Sequence, residues 1–160
     1  MADDKFVAKA KEVYGILCQA LDNRNWTYEK EEDKLLVHFG VNGDDLPMQF
    51  IMFVDPDKQL ITSMSPLPFK MSEEKRIEGA IATCVATFGM ADGGFDYDLS
   101  SGRISFRITA SYRNSNIGDG LFQYMMSCAC AMVDEYNEKF LAIDKGMLSI
   151  ADFIQERNSH

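Results

Sequence analysis

One stretch decides the fold, and it reads Gly94-Phe-Asp-Tyr-Asp-Leu-Ser-Ser-Gly-Arg-Ile-Ser-Phe-Arg-Ile-Thr-Ala-Ser-Tyr112. Apolar and polar residues alternate along both halves, and a Ser-Ser-Gly turn joins them. Such alternation predicts an antiparallel hairpin with one dry face and one wet face. We expect a register that places Phe95 opposite Phe106 on the dry face and Asp98 opposite Arg103 on the wet face, because cross-strand pairs fix the register.

A long amphipathic helix follows the hairpin, from Leu121 to a stop at Gly146. At 1.5 Å per residue, about seven turns would span roughly 35 to 40 Å, enough to cross a five-stranded sheet. The positions that we expect to be buried are Leu121, Phe122, Met125, Cys128, Ala129, Met132, Val133, Tyr136 and Phe140. We therefore expect the dry face of the hairpin to receive this helix.

Three strands are predicted upstream, and turns at Asn42-Gly43 and at Asp55 to Lys58 separate them. The middle strand, Leu46 to Val54, is apolar on both faces, which is typical of a central strand that is covered at least in part on its second side. One face of this strand carries Met48, Phe50, Met52 and Val54, and the other carries Gln49, Ile51 and Phe53. Its neighbours are the predicted strands Leu35 to Val41 and Gln59 to Met64.

Three further helices complete the pattern: an amphipathic helix over Asp3 to Leu21, one that Ser72 caps, and a short one after Ser149. The second helix is expected to bury a stripe that consists of Ile77, Ala80, Ile81, Cys84, Val85 and Phe88. An alternating segment that begins at Trp26 and Tyr28 is compatible with a short strand, and the charged run Glu29 to Lys34 predicts a turn. Two prolines in Ser65 to Met71 predict that this segment leaves the sheet, since proline cannot donate to a ladder.

The element order is therefore α-βββ-α-ββ-α-α. Helices segregated from strands in this way predict an α+β fold, with helices packed on one face of an antiparallel sheet of about five strands. A length of 160 residues is typical of a single domain, here residues 1-160, and is enough to bury a core without a disulfide or metal.

The net charge of -9 and the pI near 4.6 argue against nucleic acid as a partner, since phosphate backbones bind clustered basic surfaces. The start of the chain lacks the features of a signal peptide, and no apolar run approaches the length of a membrane span, so we expect a cytoplasmic protein with no membrane partner. The four cysteines, Cys18, Cys84, Cys128 and Cys130, fall in helical patterns and are expected to be buried free thiols.

No catalytic motif stands out in the sequence. His38 lies alone in a strand, and Cys128 and Cys130 point to roughly opposite sides of a helix, so the sequence predicts no catalytic residue, no metal site and no cofactor. A non-enzymatic module is the first hypothesis. The alternative is a small-molecule or metal-dependent enzyme whose acidic site, for example around Asp96 and Asp98, assembles only in the fold.

Three residues are the candidate partner-binding site: Gln49, Ile51 and Phe53, on the face of the central strand opposite the main core. If this face is exposed, its apolar residues form part of a patch of the kind that marks a protein interface. A bound peptide could lie on that face or add to a free strand edge.

The run Gly93-Gly-Phe-Asp-Tyr-Asp-Leu-Ser-Ser-Gly-Arg-Ile-Ser-Phe-Arg, the helix end at Tyr136 to Phe140, and the exit through Gly146 and Ser149 resemble the YbjN-domain family. The resemblance extends from the first helix to Phe153. It implies a type III secretion chaperone-like α+β fold, often dimeric, in a bacterial cytoplasmic protein without established catalytic residues. The expected function is thus a protein-interaction module, chaperone-like or regulatory, that forms a homodimer and binds a protein or peptide.

Overall fold

The computed structural model describes residues 3–159, so that residues 1, 2 and 160 of the predicted domain lie outside the described part. The helices are α1 (Asp4–Asp22), α2 (Arg76–Thr87), α3 (Asp119–Asp144) and α4 (Ile150–Asn158). The strands are β1 (Glu29–Glu31), β2 (Leu36–Asn42), β3 (Pro47–Asp55), β4 (Leu60–Lys70), β5 (Gly94–Asp98) and β6 (Arg103–Ser111). Two 3₁₀ turns, Glu32–Lys34 and Glu73–Lys75, precede β2 and α2.

The strands form one antiparallel sheet in the order β1-β2-β3-β4-β6-β5, which confirms the α+β class and the central position of β3. The predicted number of about five strands was too low, since residues 3–159 contain six. The additional strand is β1, within the run that we predicted as a turn. β1 pairs with Leu36 to His38 through its backbone. Its side chains are charged, which is common on edge strands because charges discourage pairing with a further strand.

The segment Ser65 to Met71 does not leave the sheet, contrary to the prediction. β4 continues to Lys70 beside β6, with a register shift between Pro66 and Lys70. The pairing of β3 with β4 ends at Ile51 and Met64, so the prolines occupy a part of β4 with no strand on its other side. A bulge on a free edge is a position where a missing N–H donor costs little.

The hairpin has the predicted register: Phe95 lies opposite Phe106, and Asp98 lies opposite Arg103. Its dry face receives α3, as predicted. The ring of Phe95 lies 5.6 Å from that of Tyr136 and 5.0 Å from that of Phe140, both edge-on. Offset and edge-to-face aromatic pairs add to the stabilisation that burial provides, and this cluster fixes the helix across the sheet.

The core lies between the helices and one face of the sheet. The buried sheet residues in it are Val37, Phe39, Met48, Phe50, Met52, Val54, Ile61, Leu67, Phe95, Ile104, Phe106 and Ile108. The same cluster contains buried residues from all four helices, among them Leu17, Ala82, Met125 and Phe153. The helices therefore cover a single face, as the element order predicts.

The short helix α4 begins as predicted. The Asp152 backbone N–H donates to the Ser149 hydroxyl at 3.1 Å, which satisfies one of the free donors of the first turn. Phe153 is fully buried against Phe140 and Tyr136 of α3. α4 is thus held against the long helix through one aromatic side chain.

The predicted buried stripe of α2 was wrong. The buried residues of this helix are small: Gly79, Ala82, Thr83 and Ala86. A Cβ atom added to Gly79 would lie 2.6 Å from Met71 and 2.7 Å from the Tyr97 hydroxyl. The helix approaches its neighbours so closely that only small residues fit, and Ile77, Ile81 and Phe88 face outward, whereas Val85 is half-buried against the core.

Candidate protein-binding surfaces

The sheet face opposite the helices carries two rows of aligned side chains. In one row Leu36 pairs with Phe53, and Phe53 pairs with Thr62. In the next row His38 pairs with Ile51, and Ile51 pairs with Met64. We call these residues, with the adjoining Gln49, the open sheet face: Leu36, His38, Gln49, Ile51, Phe53, Thr62 and Met64.

No described helix packs on the open sheet face. Its four large apolar residues, Leu36, Ile51, Phe53 and Met64, lie outside the core cluster that contains the buried residues of α1 to α4. Each of the four is half-buried, because side chains of neighbouring strands shield one another on a twisted sheet. The chain thus leaves an apolar strip in the middle of its sheet without a covering layer.

The predicted partner-binding residues all lie on this face. Gln49 is exposed, and Ile51 and Phe53 are half-buried at alternate positions of β3. The sequence identified them because β3 is apolar on both faces. It did not identify Leu36 and Met64 as their neighbours, since that requires the cross-strand register, which the alternation of a single strand does not give.

Ion pairs border the apolar strip on two sides. On the β1 side, His38 Nε2 lies 2.6 Å from Glu31 Oε1, and Lys34 Nζ lies 2.6 Å from Glu31 Oε2. The hydrogen bonds from Lys34 and His38 lower the pKa of Glu31. On the β5 side, Arg107 Nε lies 2.6 Å from Asp96 Oδ2. The border charges are therefore largely paired, and the apolar strip lies between them.

A second apolar surface lies on α2. We call Ile77, Ile81, Cys84 and Phe88 the α2 stripe: all four are exposed, and Ile77 and Phe88 expose 66% and 82% of their surface. Their spacing of four, three and four residues places them along one helix face. A cavity of about 600 Å³ opens beside Phe88, and its lining includes Val85, Ile154 and Arg157.

No group of three or more His, Cys, Asp or Glu side chains within residues 3–159 is placed to hold a metal ion. Desolvation raises the pKa of the thiols of Cys18, Cys128 and Cys130, in the last case to about 11. Only Cys18 is buried, whereas Cys84 is exposed and Cys128 and Cys130 are half-buried, which corrects the prediction that all four thiols are buried. None of the helices described is long and apolar enough for a transmembrane segment.

Comparison with known proteins finds a likeness in structure and none in sequence. No protein-family model matches the chain and no curated protein sequence matches it, so the resemblance to the YbjN-domain family has no family model behind it. A chain of the solved HopA1-SchA chaperone-effector complex is similar in structure, with a TM-score of 0.50 at 10% sequence identity. The similarity covers 78% of this chain and 91% of that one. This chain therefore shares its α+β fold with a chain of that complex.

Proposed function

We propose that this protein is a non-enzymatic interaction module, chaperone-like or regulatory, that holds a protein or peptide partner on its open sheet face. The observation that carries the proposal is the uncovered strip of Leu36, Ile51, Phe53 and Met64 in the middle of the sheet. Contiguous apolar surface of this kind, with polar groups at its border, is typical of protein-interaction sites. Gln49 lies beside the strip, where its amide can hydrogen-bond a partner backbone.

Two likenesses support this proposal. The structural neighbour belongs to a chaperone-effector complex, in which one protein binds another. At 10% identity the likeness concerns the fold, and the transfer of a binding role to this chain is an analogy. The resemblance to the YbjN-domain family is consistent with it, and on that basis we propose a bacterial, cytoplasmic protein.

Co-purification from a lysate of the native host tests the open sheet face. The test variant combines Ile51→Asp with Phe53→Asp, which places two charges in the apolar strip. The matched control combines Leu99→Asp with Met147→Asp, the same kind of change at two exposed residues that lie in turns and not on the open sheet face. Partners recovered with the wild type and the control should be lost from the test variant, provided that circular dichroism shows it folded. Equal recovery from both variants would exclude this face.

We further propose that the protein is a homodimer that associates through the α2 stripe. A two-fold symmetric interface brings the same patch of both copies together, so that patch must be self-complementary. Phe88 projects from the stripe, and the cavity beside it, lined by Val85 and Ile154, can receive the Phe88 ring of a second copy. A patch that carries both a projecting side chain and a cavity is self-complementary, so two copies of it can pair around a two-fold axis.

Charge at the two ends of α2 supports an antiparallel pair. The acidic residues Glu73 and Glu74 lie just before the helix, and Arg157 lies at its far end, where it donates to the Phe88 carbonyl at 3.0 Å. In an antiparallel arrangement Glu73 and Glu74 of each copy approach Arg157 of the other, while the adjacent Lys75 is paired with Glu78 of its own helix. The pairing therefore offsets part of the repulsion between two chains that each carry a charge of -9.

Light scattering coupled to size exclusion tests the dimer over a range of protein concentrations. The wild type should elute with twice the mass of the chain, 36.2 kDa for two copies of 18.1 kDa. The change Phe88→Ser should give the monomer, whereas Leu99→Ser, at another exposed apolar residue, should leave the dimer intact. A wild type that stays monomeric at high concentration would exclude the dimer.

A further inference from the structure

Two basic side chains lie on the same side of the sheet as the open sheet face and have no part in the surfaces described above. Lys70 of β4 is directly opposite Arg103 of β6, and both are exposed. Ile104 and Phe106 face the core, so that Arg103, which alternates with them along β6, projects to the open side. Lys70 projects to the same side, because residues directly opposite each other share a face. We call Lys70 and Arg103 the basic pair.

The basic pair has no acidic partner within the described part of the chain. None of the ion pairs found in residues 3–159 includes Lys70 or Arg103, although the chain has 25 acidic residues. Like charges directly opposite each other on neighbouring strands destabilise a sheet. The repulsion between the two cations is therefore not offset by any carboxylate in contact with them among these residues.

The two carboxylates of β5 on this side of the sheet are occupied by other partners. Asp98 is opposite Arg103, but its carboxylate accepts hydrogen bonds from two serine hydroxyls of the turn, at 2.7 and 2.5 Å. Asp96 accepts two hydrogen bonds from the guanidinium group of Arg107, at 2.6 and 3.0 Å. The basic pair is thus available to an acidic group from outside the chain.

The basic pair is close enough to the apolar strip for one bound segment to contact both. Arg107 of β6 is opposite Met64, which belongs to the strip. Arg103 precedes Arg107 by four residues, which is about 13 Å at about 3.3 Å per residue. That distance corresponds to about four residues of extended chain or about nine residues of a helix. A short segment of a partner therefore reaches from Met64 to the basic pair.

We propose that the basic pair binds an acidic side chain of the polypeptide partner, about 13 Å from the apolar residue of that partner that covers Met64. The inference rests on the proposed function, because it names the chemistry of the segment that occupies the open sheet face. A carboxylate between the two cations offsets their mutual repulsion. It also discriminates among apolar segments, since only those with an acid at this distance satisfy both contacts.

Peptides selected on the wild-type protein from a displayed library of random twelve-residue sequences provide the probe. They should carry Asp or Glu about four to nine residues from a large apolar residue. Each is synthesised with a fluorophore, and binding is followed by anisotropy at about 50 mM salt, where surface charges are weakly screened. The test variant combines Lys70→Glu with Arg103→Glu, and it should bind the selected peptides at least tenfold more weakly, because attraction becomes repulsion.

A reversed peptide, in which lysine replaces the acidic residue, should bind the test variant more tightly than it binds the wild type. The matched control combines Arg113→Glu with Lys145→Glu, which changes the net charge by the same amount at two exposed residues away from the open sheet face. This control should leave the affinity for the selected peptides within twofold of the wild type. Circular dichroism checks that both variants are folded.

Equal weakening by the test variant and the control would overturn the proposal, as would selected peptides without an acid at this spacing or a failure to enrich any peptide. Binding that is lost with Ile51→Asp and Phe53→Asp but unchanged in the test variant would overturn it too, and would leave the open sheet face as the binding site. Binding that the test variant weakens and the change at Ile51 and Phe53 does not would contradict both proposals, because the acid would then bind without the open sheet face.

Discussion

Asp98 shows how one side chain takes a different partner from the one that its position in the hairpin predicts. It lies opposite Arg103, as expected, but its carboxylate accepts hydrogen bonds from the hydroxyls of Ser100 at 2.7 Å and Ser101 at 2.5 Å. The neighbouring carboxylate on the same strand face, Asp96, does form an ion pair with an arginine, Arg107. A hydroxyl two residues away in a turn competes well with an exposed arginine, because the short serine side chain loses little rotamer freedom.

The same hydrogen bonds lower the pKa of Asp98 to about 2, from an ordinary value of 3.8. We expect Ser100→Ala to raise this pKa towards 3.8, which carboxyl ¹³C resonances followed from pH 1.5 to 6 would measure. A lowered pKa in the folded state stabilises the fold above pH 3.8, and that contribution is lost as the pH falls towards 2. The variant should therefore lose less stability than the wild type over this acidic range. An unchanged pKa in Ser100→Ala would contradict the assignment.

Among the elements, α3 depends most on a single aromatic cluster. Phe140 is fully buried and touches Phe95 of the hairpin, Tyr136 of its own helix and Phe153 of α4. We expect Phe140→Ala to lower the free energy of unfolding by about 3 to 5 kcal/mol, since it removes buried surface and leaves a cavity. Urea denaturation followed by circular dichroism would measure the loss. A loss below about 1 kcal/mol would show that the cluster does not hold the helices together.

Two helices show what periodicity predicts and where it fails. In α3 the large apolar residues form the inward face, and the predicted residues Phe122, Met125 and Phe140 are buried. In α2 the same rule selects the wrong face, because a close approach to Met71 and Tyr97 selects small residues for burial. The sequence holds a signal for this in Gly79, Ala82 and Ala86, but small residues carry little weight in a hydrophobic pattern. The distance between packed elements decides which side chains can be buried, and this distance depends on the tertiary structure.

At the scale of the whole molecule, the layer arrangement was predictable from the sequence, and the surfaces were predictable only in part. Alternation in the hairpin and the two-faced strand β3 indicate a central sheet with helices on one side, which the structure confirms. The bounds of the edge strand β1 could not be predicted, since its charged residues and three backbone pairs leave no apolar pattern. The candidate site was predicted as β3 residues alone, because the neighbours Leu36 and Met64 depend on strand register.

Contact with a partner at Phe53 is the central claim, and site-specific photo-crosslinking in the native host measures it most directly. Phe53 is replaced by p-benzoyl-phenylalanine in one strain and Leu99, an exposed loop residue, in another. Irradiation should join a partner polypeptide to the protein from position 53 and not from position 99. Adducts of equal yield from both positions, or none from position 53, would contradict a binding role for the open sheet face.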